Sequence, residues 1–305
     1  MTQPNQPRVL PVLDIKAMER EYHKRVVDTS ATVDLADWLP AFGKTPGRDR
    51  PVLRPIRGGE VVIILADVGA GKSCILQNIF AAMYPKVCMI FQLELPPDLC
   101  YERFAAMNNS MDCYTVEELY KNLNPRDPNS KRPGTDGLEH IYTIAEPRVT
   151  LGDIEATVMA AKESKIPNMT GKPIAVGIDY LGLITGDKRG SRYEFTSEVA
   201  NSFKPLAKTL DVALIVTCQI HRKNQDASVE VGMHDARDSG QIEGCGDVLL
   251  GAWREPDDRR HMKLRICKGR KDGDGEIVDA LFDGRSMSIT PWPVSVYQPL
   301  PGEPL

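Results

Sequence analysis

The sequence predicts an α/β fold with a mainly parallel sheet, helices on both of its faces and added antiparallel strands toward the C-terminus. Three observations lead to that class. Four short apolar runs, Val61 to Leu65, Val87 to Leu93, Ile174 to Ile178 and Ala213 to Cys218, have the length and composition of buried strands. Between them lie helical patterns, clearest from Glu194 to Leu210, where Phe195, Val199, Phe203, Leu206 and Leu210 keep one apolar face. The first run also leads directly into a glycine-bearing loop and an apolar helix, Cys74 to Met83. Strands and helices in alternation imply parallel neighbours with helices covering both faces, and they put the ligand site at the carboxyl ends of the strands.

In chain order, Ile15, Met18, Tyr22 and Val26 recur at helical spacing, while Lys16, Glu19, Arg20, Lys24 and Arg25 fill the other side, so the first element is an amphipathic helix. Residues Gly43 to Arg57 are rich in Gly, Pro and Arg and read as a linker, with a boundary near Pro55. The expected organisation is an N-terminal arm over 1–54, the α/β domain over 55–290 and an irregular proline-rich tail over 291–305. Inside the domain, Asn122 to Gly137 reads as an exposed polar loop. The runs Val248 to Ala252, Met262 to Ile266 and Val278 to Phe282, with turn residues such as Asp272 and Gly273 between them, supply the antiparallel strands.

Composition narrows the function classes. A chain of 305 residues, 42% hydrophobic and 26% charged, suits a globular protein with a sizeable core. No apolar run approaches the roughly 18 residues of a membrane span, and the polar start, Met1 to Arg8, lacks a signal pattern, so a cytoplasmic protein without a membrane partner is expected. Seven cysteines, none spaced as C-x-x-C and two of them (Cys88, Cys218) inside apolar runs, point to buried free thiols rather than disulfides or zinc. A net charge of −4 argues against nonspecific coating of nucleic acid and leaves room for a basic strip inside a groove. Arg259, Arg260, His261, Lys263, Arg265, Lys268 and Arg270 form such a cluster, either a solvated face or a phosphate-facing one.

The loop after the first strand reads Ala66, Asp67, Val68, Gly69, Ala70, Gly71, Lys72 and Ser73, with Cys74 next in the helix. This is the strand, loop and helix context of a phosphate-binding loop. The glycines let consecutive N–H groups converge on phosphate oxygens at a helix N-terminus, Lys72 reaches the β and γ phosphates, and Ser73 is placed to bind Mg²⁺. Hydrolysis also needs a carboxylate for the metal and a group to orient or deprotonate the attacking water. Asp179 follows the third apolar run and is either the metal carboxylate or a solvent-facing strand-end acid; Glu94 follows the second and is either the catalytic base or a solvent-facing acid. Gln219 follows the fourth, as a sensor of the γ-phosphate or a cap of the sheet. All of these follow strands, which in this fold class gathers them on one edge.

At these positions the chain resembles the ATPase domain of DnaB-type replicative helicases, which share the RecA fold; the likeness runs from about Gly58 to Ile289. Ala66 is common at the first loop position in that family. Phe91 to Pro96 resembles the segment bearing the catalytic glutamate, which implies that role for Glu94. Ile178 to Leu183 is similar to the family's I-D-Y-L-Q-L, with Gly182 in place of Gln, and Cys218 to Arg222 is similar to S-Q-L-N-R, with Gln219 as the sensor. Asp235 to Glu243 resembles the D-L-R-E-S-G-x-I-E loop that holds single-stranded DNA, which implies DNA contacts by Arg222, Arg237, Asp238, Ser239 and Gly240; Asp238 stands where the family has Glu. Cys267 to Arg270 is similar to A-K-x-R, which implies that Lys268 and Arg270 reach a neighbouring subunit's γ-phosphate.

The resemblance implies an ATP- and Mg²⁺-dependent helicase that forms a homohexameric ring and translocates 5′ to 3′ on single-stranded DNA in replication. It implies that the helix at Ile15 to Val26 corresponds to a linker helix packing on the adjacent subunit. With only the arm of residues 1–54 before the core and no N-terminal primase-binding domain, a phage or plasmid enzyme is expected, its primase and loader unspecified. Two other classes compete: a RecA- or RadA-like recombination ATPase that forms filaments, and a nucleotide-switched regulatory assembly. If Arg237 does not carry the DNA path, Lys188, Arg189 and Arg192 are the next candidates.

Overall fold

The computed structural model describes residues 14–44, 47, 49–123, 132–186, 192–220, 230–232, 235, 240–269 and 273–293. The chain divides after Ala31 into two units. The first contains helix α1, Ile15–Val27, started by Asp14, whose Oδ1 accepts from the Ala17 N–H at 2.7 Å. Its apolar stripe, Ile15, Met18, Tyr22 and Val26, is exposed.

The second unit begins at Thr32, upstream of the boundary expected near Pro55. Strands β1 (Thr32–Val33) and β2 (Ile56–Arg57) pair antiparallel, and short 3-10 turns at Leu35–Asp37 and Pro40–Phe42 lie between them. Val33, Leu35, Leu39, Phe42, Leu53 and Ile56 are buried in one side of the core, so much of the segment read as arm and linker belongs to the domain.

The core is a nine-stranded sheet built from β3 (Val61–Ala66), β4 (Cys88–Gln92), β5 (Ile141–Ile144), β6 (Ala175–Asp179), β7 (Ala213–Gln219), β8 (Val248–Arg254), β9 (His261–Gly269), β10 (Ile277–Asp283) and β11 (Ser288–Pro291). The strand order is β11-β10-β9-β8-β3-β7-β6-β4-β5. Strands β8, β3, β7, β6, β4 and β5 are parallel, and β9, β10 and β11 continue antiparallel. The expected antiparallel extension is thus present with one correction: Val248–Arg254 joins the sheet parallel to β3, because helix α7 (Gly240–Cys245) returns the chain to the starting end of β3 before it enters β8.

The pattern of burial follows from the two kinds of pairing. Every residue of β3, β4 and β6 is buried, since helices cover both faces, whereas β9 and β10 alternate buried and partly exposed residues. On one face α2 (Lys72–Ala81) packs with the 32–57 segment against Val62, Ile64 and Ala66. On the other, α5 (Leu151–Lys162) and α6 (Arg192–Leu210) cover Val61, Ile63 and Leu65. Helices α3 (Pro97–Asn109) and α4 (Cys113–Lys121) follow β4. All seven cysteines are free; burial pushes the Cys218 thiol up to about 12 and Cys245 to about 11.

Candidate nucleotide site

The site is assembled where β3, β4 and β7 end. β3 delivers Ala66 into a turn in which Gly69 (φ 70°) and Gly71 (φ 104°) adopt left-handed backbone. Gly71 is doubly constrained, because a Cβ there would lie 3.3 Å from Met262 Cε and 3.7 Å from Phe282 Cε2. Helix α2 starts at Lys72 with Gly71 at its N-cap, so its free N–H groups face the loop.

Lys72 folds back over the loop. Its Nζ donates to the Asp67 carbonyl at 2.9 Å and, at 3.4 Å, to that of Ala66. Burial pushes its pKa below the usual lysine value, against the opposing pull of Asp179, Glu94 and Asp67. An ammonium stripped of water and held only by carbonyls is prepared to take an anionic partner.

Glu94 lies two residues past β4, and the Leu93 N–H, which donates to the Asp179 carbonyl at 2.8 Å, fixes the chain just before it. Asp179 ends β6 with no exposed surface. Its Oδ2 accepts from Gln92 Nε2 at 2.7 Å and its Oδ1 from Thr217 Oγ1 at 2.6 Å. Gln219 ends β7, opposite Ala66. A cleft of about 250 Å³ is lined by Gly69, Gly71, Lys72, Ser73, Glu94 and Gln219. The carboxylate of Asp179 lies outside that lining, buried beside Lys72.

Three further residues border the cleft that were not read from the sequence: Arg103 from α3, Phe282 from β10 and, through the loop backbone, Arg254 from β8. Arg254 Nη2 donates to the Gly69 carbonyl at 2.5 Å, and its guanidinium stands 4.9 Å from the centre of the Phe282 ring. Burial and the neighbouring Arg259 lower the Arg254 pKa. Arg254 follows an apolar run in the same way as Asp179 and Gln219, so that signal would have found it had β8 been read as parallel. α3 shows little apolar periodicity, and nothing in it marks Arg103.

Lys268 is elsewhere. It pairs with Leu249, which lies opposite Ile63 in the first half of β3, and its Nζ donates to the Glu243 carbonyl at 2.6 Å. That places it toward the other end of the strands, outside the lining of the cleft of its own chain. Arg222, Arg237, Asp238, Ser239 and Arg270 lie outside the described residues, as do Lys188 and Arg189; of Arg192 only the backbone placement at the start of α6 is described, and Gly240 opens α7. In the basic cluster, Arg260, His261, Lys263 and Arg265 each face an acid, respectively Asp258, Asp279, Glu255 and Glu230, which makes this part a solvated, ion-paired face. Among the described residues no group of three or more His, Cys, Asp or Glu is placed to hold a metal alone, and no helix is long and apolar enough to cross a membrane.

Comparison with known proteins accords with this geometry. Residues 52–290 match the family described as the DnaB-like helicase C terminal domain. The chain is 26% identical over 204 residues to the replicative DNA helicase DnaB of Geobacillus stearothermophilus, an alignment covering 64% of this chain and 43% of that one. It is 28% identical over 146 residues to a probable plasmid replicative DNA helicase of Chlamydia muridarum, covering 44% and 32%. The chain spans less than half the length of these curated relatives. Among solved structures, the ATPase domain of G40P superposes with a TM-score of 0.73 at 19% identity, covering 92% of this chain and 99% of that one. A DnaB-like replicative helicase, described together with its interactions with primase, gives 0.66 at 21%, covering 78% and 60%. These likenesses establish the RecA-like fold.

Proposed function

The chain belongs to the DnaB-like helicase C-terminal domain family, and on that premise we propose that it is the ATP-driven motor of a ring-forming DNA helicase that moves 5′ to 3′ along single-stranded DNA in replication. The observation that carries the proposal is the separation of its catalytic set between two ends of one sheet. The cleft lies at the carboxyl ends of β3, β4 and β7, while Lys268 lies level with Ile63 in the first half of β3. On this reading Lys268 serves a neighbour's cleft in a head-to-tail arrangement of copies, and a head-to-tail contact that closes makes a ring. Arg270, two residues on, goes with it as the finger on the γ-phosphate.

In this reading the N–H groups from Gly69 to Ser73 cradle the phosphates and Lys72 neutralises their charge. The hydroxyl of Ser73 and the carboxylate of Asp179 are hard oxygen donors, the chemistry that suits Mg²⁺. The ion, when bound, screens charge on the β and γ phosphates. Glu94 orients or deprotonates the attacking water, and Gln219 senses the γ-phosphate. Arg222, Arg237, Asp238, Ser239 and Gly240 hold the DNA backbone, and α1 packs on the adjacent copy through its exposed apolar stripe. The homohexamer, primase and loader belong to the same proposal. A plasmid or phage setting draws support from the Chlamydia relative.

Electron microscopy of the whole chain with an ATP analogue, with and without single-stranded DNA, tests the reading. Closed rings that encircle DNA are expected. Filaments along DNA would point to a recombination ATPase, and assemblies indifferent to DNA to a nucleotide-switched regulator.

A further inference from the structure

The fully buried carboxylate of Asp179 is held from both sides. Gln92, at the end of β4, is its Cα partner across the sheet, and Thr217 on β7 continues the β6–β7 register one step beyond Ile178 and Val216. Directly opposed residues project from the same face of the pleat, so the three side chains meet in a row. Each carboxylate oxygen accepts one short hydrogen bond, 2.7 Å from Gln92 and 2.6 Å from Thr217. Gln92 is 1% exposed and Thr217 and Asp179 are fully enclosed, so water cannot replace either donor.

A buried carboxylate needs partners for its oxygens, and it is free to rotate unless something fixes its plane. Two donors anchored on the central strands supply the partners and fix the plane. They leave each oxygen with a further lone pair, because an ionised carboxylate offers about four acceptor sites. Neither side chain borders the cleft.

We propose that Gln92 and Thr217 are positioning residues for the magnesium shell: they hold the Asp179 carboxylate in one orientation, so that binding the magnesium–nucleotide complex need not order it. This rests on reading the cleft as a magnesium–nucleotide site. A purely structural role, tying β4, β6 and β7 together, would affect nucleotide binding equally with and without metal.

The test measures the affinity of the whole chain for a fluorescent ADP analogue in Mg²⁺ and in EDTA, for the native protein and for Thr217→Val, Gln92→Met and Thr217→Ser. The first two variants keep approximate shape and remove one donor; the third keeps the hydroxyl. Loss of an outer partner of a metal ligand typically weakens metal affinity about 10- to 100-fold. Thr217→Val and Gln92→Met are therefore expected to lose about tenfold of the gain that Mg²⁺ confers, with EDTA affinity within about twofold of native, and Thr217→Ser to keep the gain. Thermal unfolding monitors integrity; should Thr217→Val not fold, Gln92→Met carries the same readout. An unchanged magnesium gain in the folded variants, or an equal loss with and without metal, overturns the proposal while the nucleotide site stands. A native protein whose affinity ignores Mg²⁺ overturns both.

Discussion

The two ends of the sheet present opposite kinds of surface. Where β3, β4 and β7 finish, a left-handed glycine turn, a desolvated lysine and the strand-end residues Glu94 and Gln219 converge on one cleft. At the other end, where β8 begins and β9 finishes, Lys268 is tied to the Glu243 carbonyl of α7, next to the segment whose motif resembles a DNA-holding loop. One end is equipped for phosphates and the other carries a cation with no phosphate site of its own. Under the proposed function, a chain divided this way supplies half of each of two active sites.

Substitutions at the two ends should therefore fail differently. The largest effect is expected at the far end: Arg270→Ala should lower the steady-state ATPase rate by on the order of 10³ to 10⁵ while leaving nucleotide binding near native, since a finger acts on the transition state. Equal losses of rate and affinity would break the distinction. Glu94→Gln, at the near end, should lose about 10²- to 10³-fold in turnover and still bind nucleotide, because the amide keeps shape and removes the base; failure to bind in a fluorescence titration would make Glu94 structural.

Arg254→Ala sharpens the comparison on the near side. It removes the hydrogen bond to the Gly69 carbonyl and the cation over Phe282, so nucleotide affinity should weaken by about tenfold in an equilibrium titration, with little change in DNA binding. The smallest effect belongs to Arg237→Ala. Its DNA affinity should fall modestly and the slope of log affinity against log salt should flatten by about one, one phosphate contact having been lost, with nucleotide affinity nearly unchanged. The same slope and affinity as native would move the DNA path to Lys188, Arg189 and Arg192.

Legibility in the sequence followed the packing. Strands buried on both faces must be apolar throughout, so Val61–Ala66, Cys88–Gln92, Ala175–Asp179 and Ala213–Gln219 stood out as runs, to within one or two residues at each end. The residues just beyond them were then placed by topology alone. The segment between Val33 and Ile56 hid its role because its buried side chains sit in 3-10 turns and around prolines, where no helical or strand period appears. Strand β5 is only half-buried, and α3 buries little more than Cys100, Ala105 and Ala106, so neither left a readable pattern. The direction of β8 was not contained in its own residues; it depends on where α7 delivers the chain, and with it went the place of Arg254.

The central claim is that each active site is shared between two copies, and mixing two inactive proteins tests it most directly. Lys72→Ala subunits have a defective cleft but an intact Arg270; Arg270→Ala subunits have the reverse. Under subunit exchange, with mixed assemblies verified by native mass spectrometry of differently tagged chains, part of the DNA-stimulated ATPase rate should recover, because an intact cleft then meets an intact finger across a mixed interface. Verified mixed assemblies whose rate stays at the level of the two variants alone would contradict it, and would return Arg270 to a site within its own chain or to no site at all.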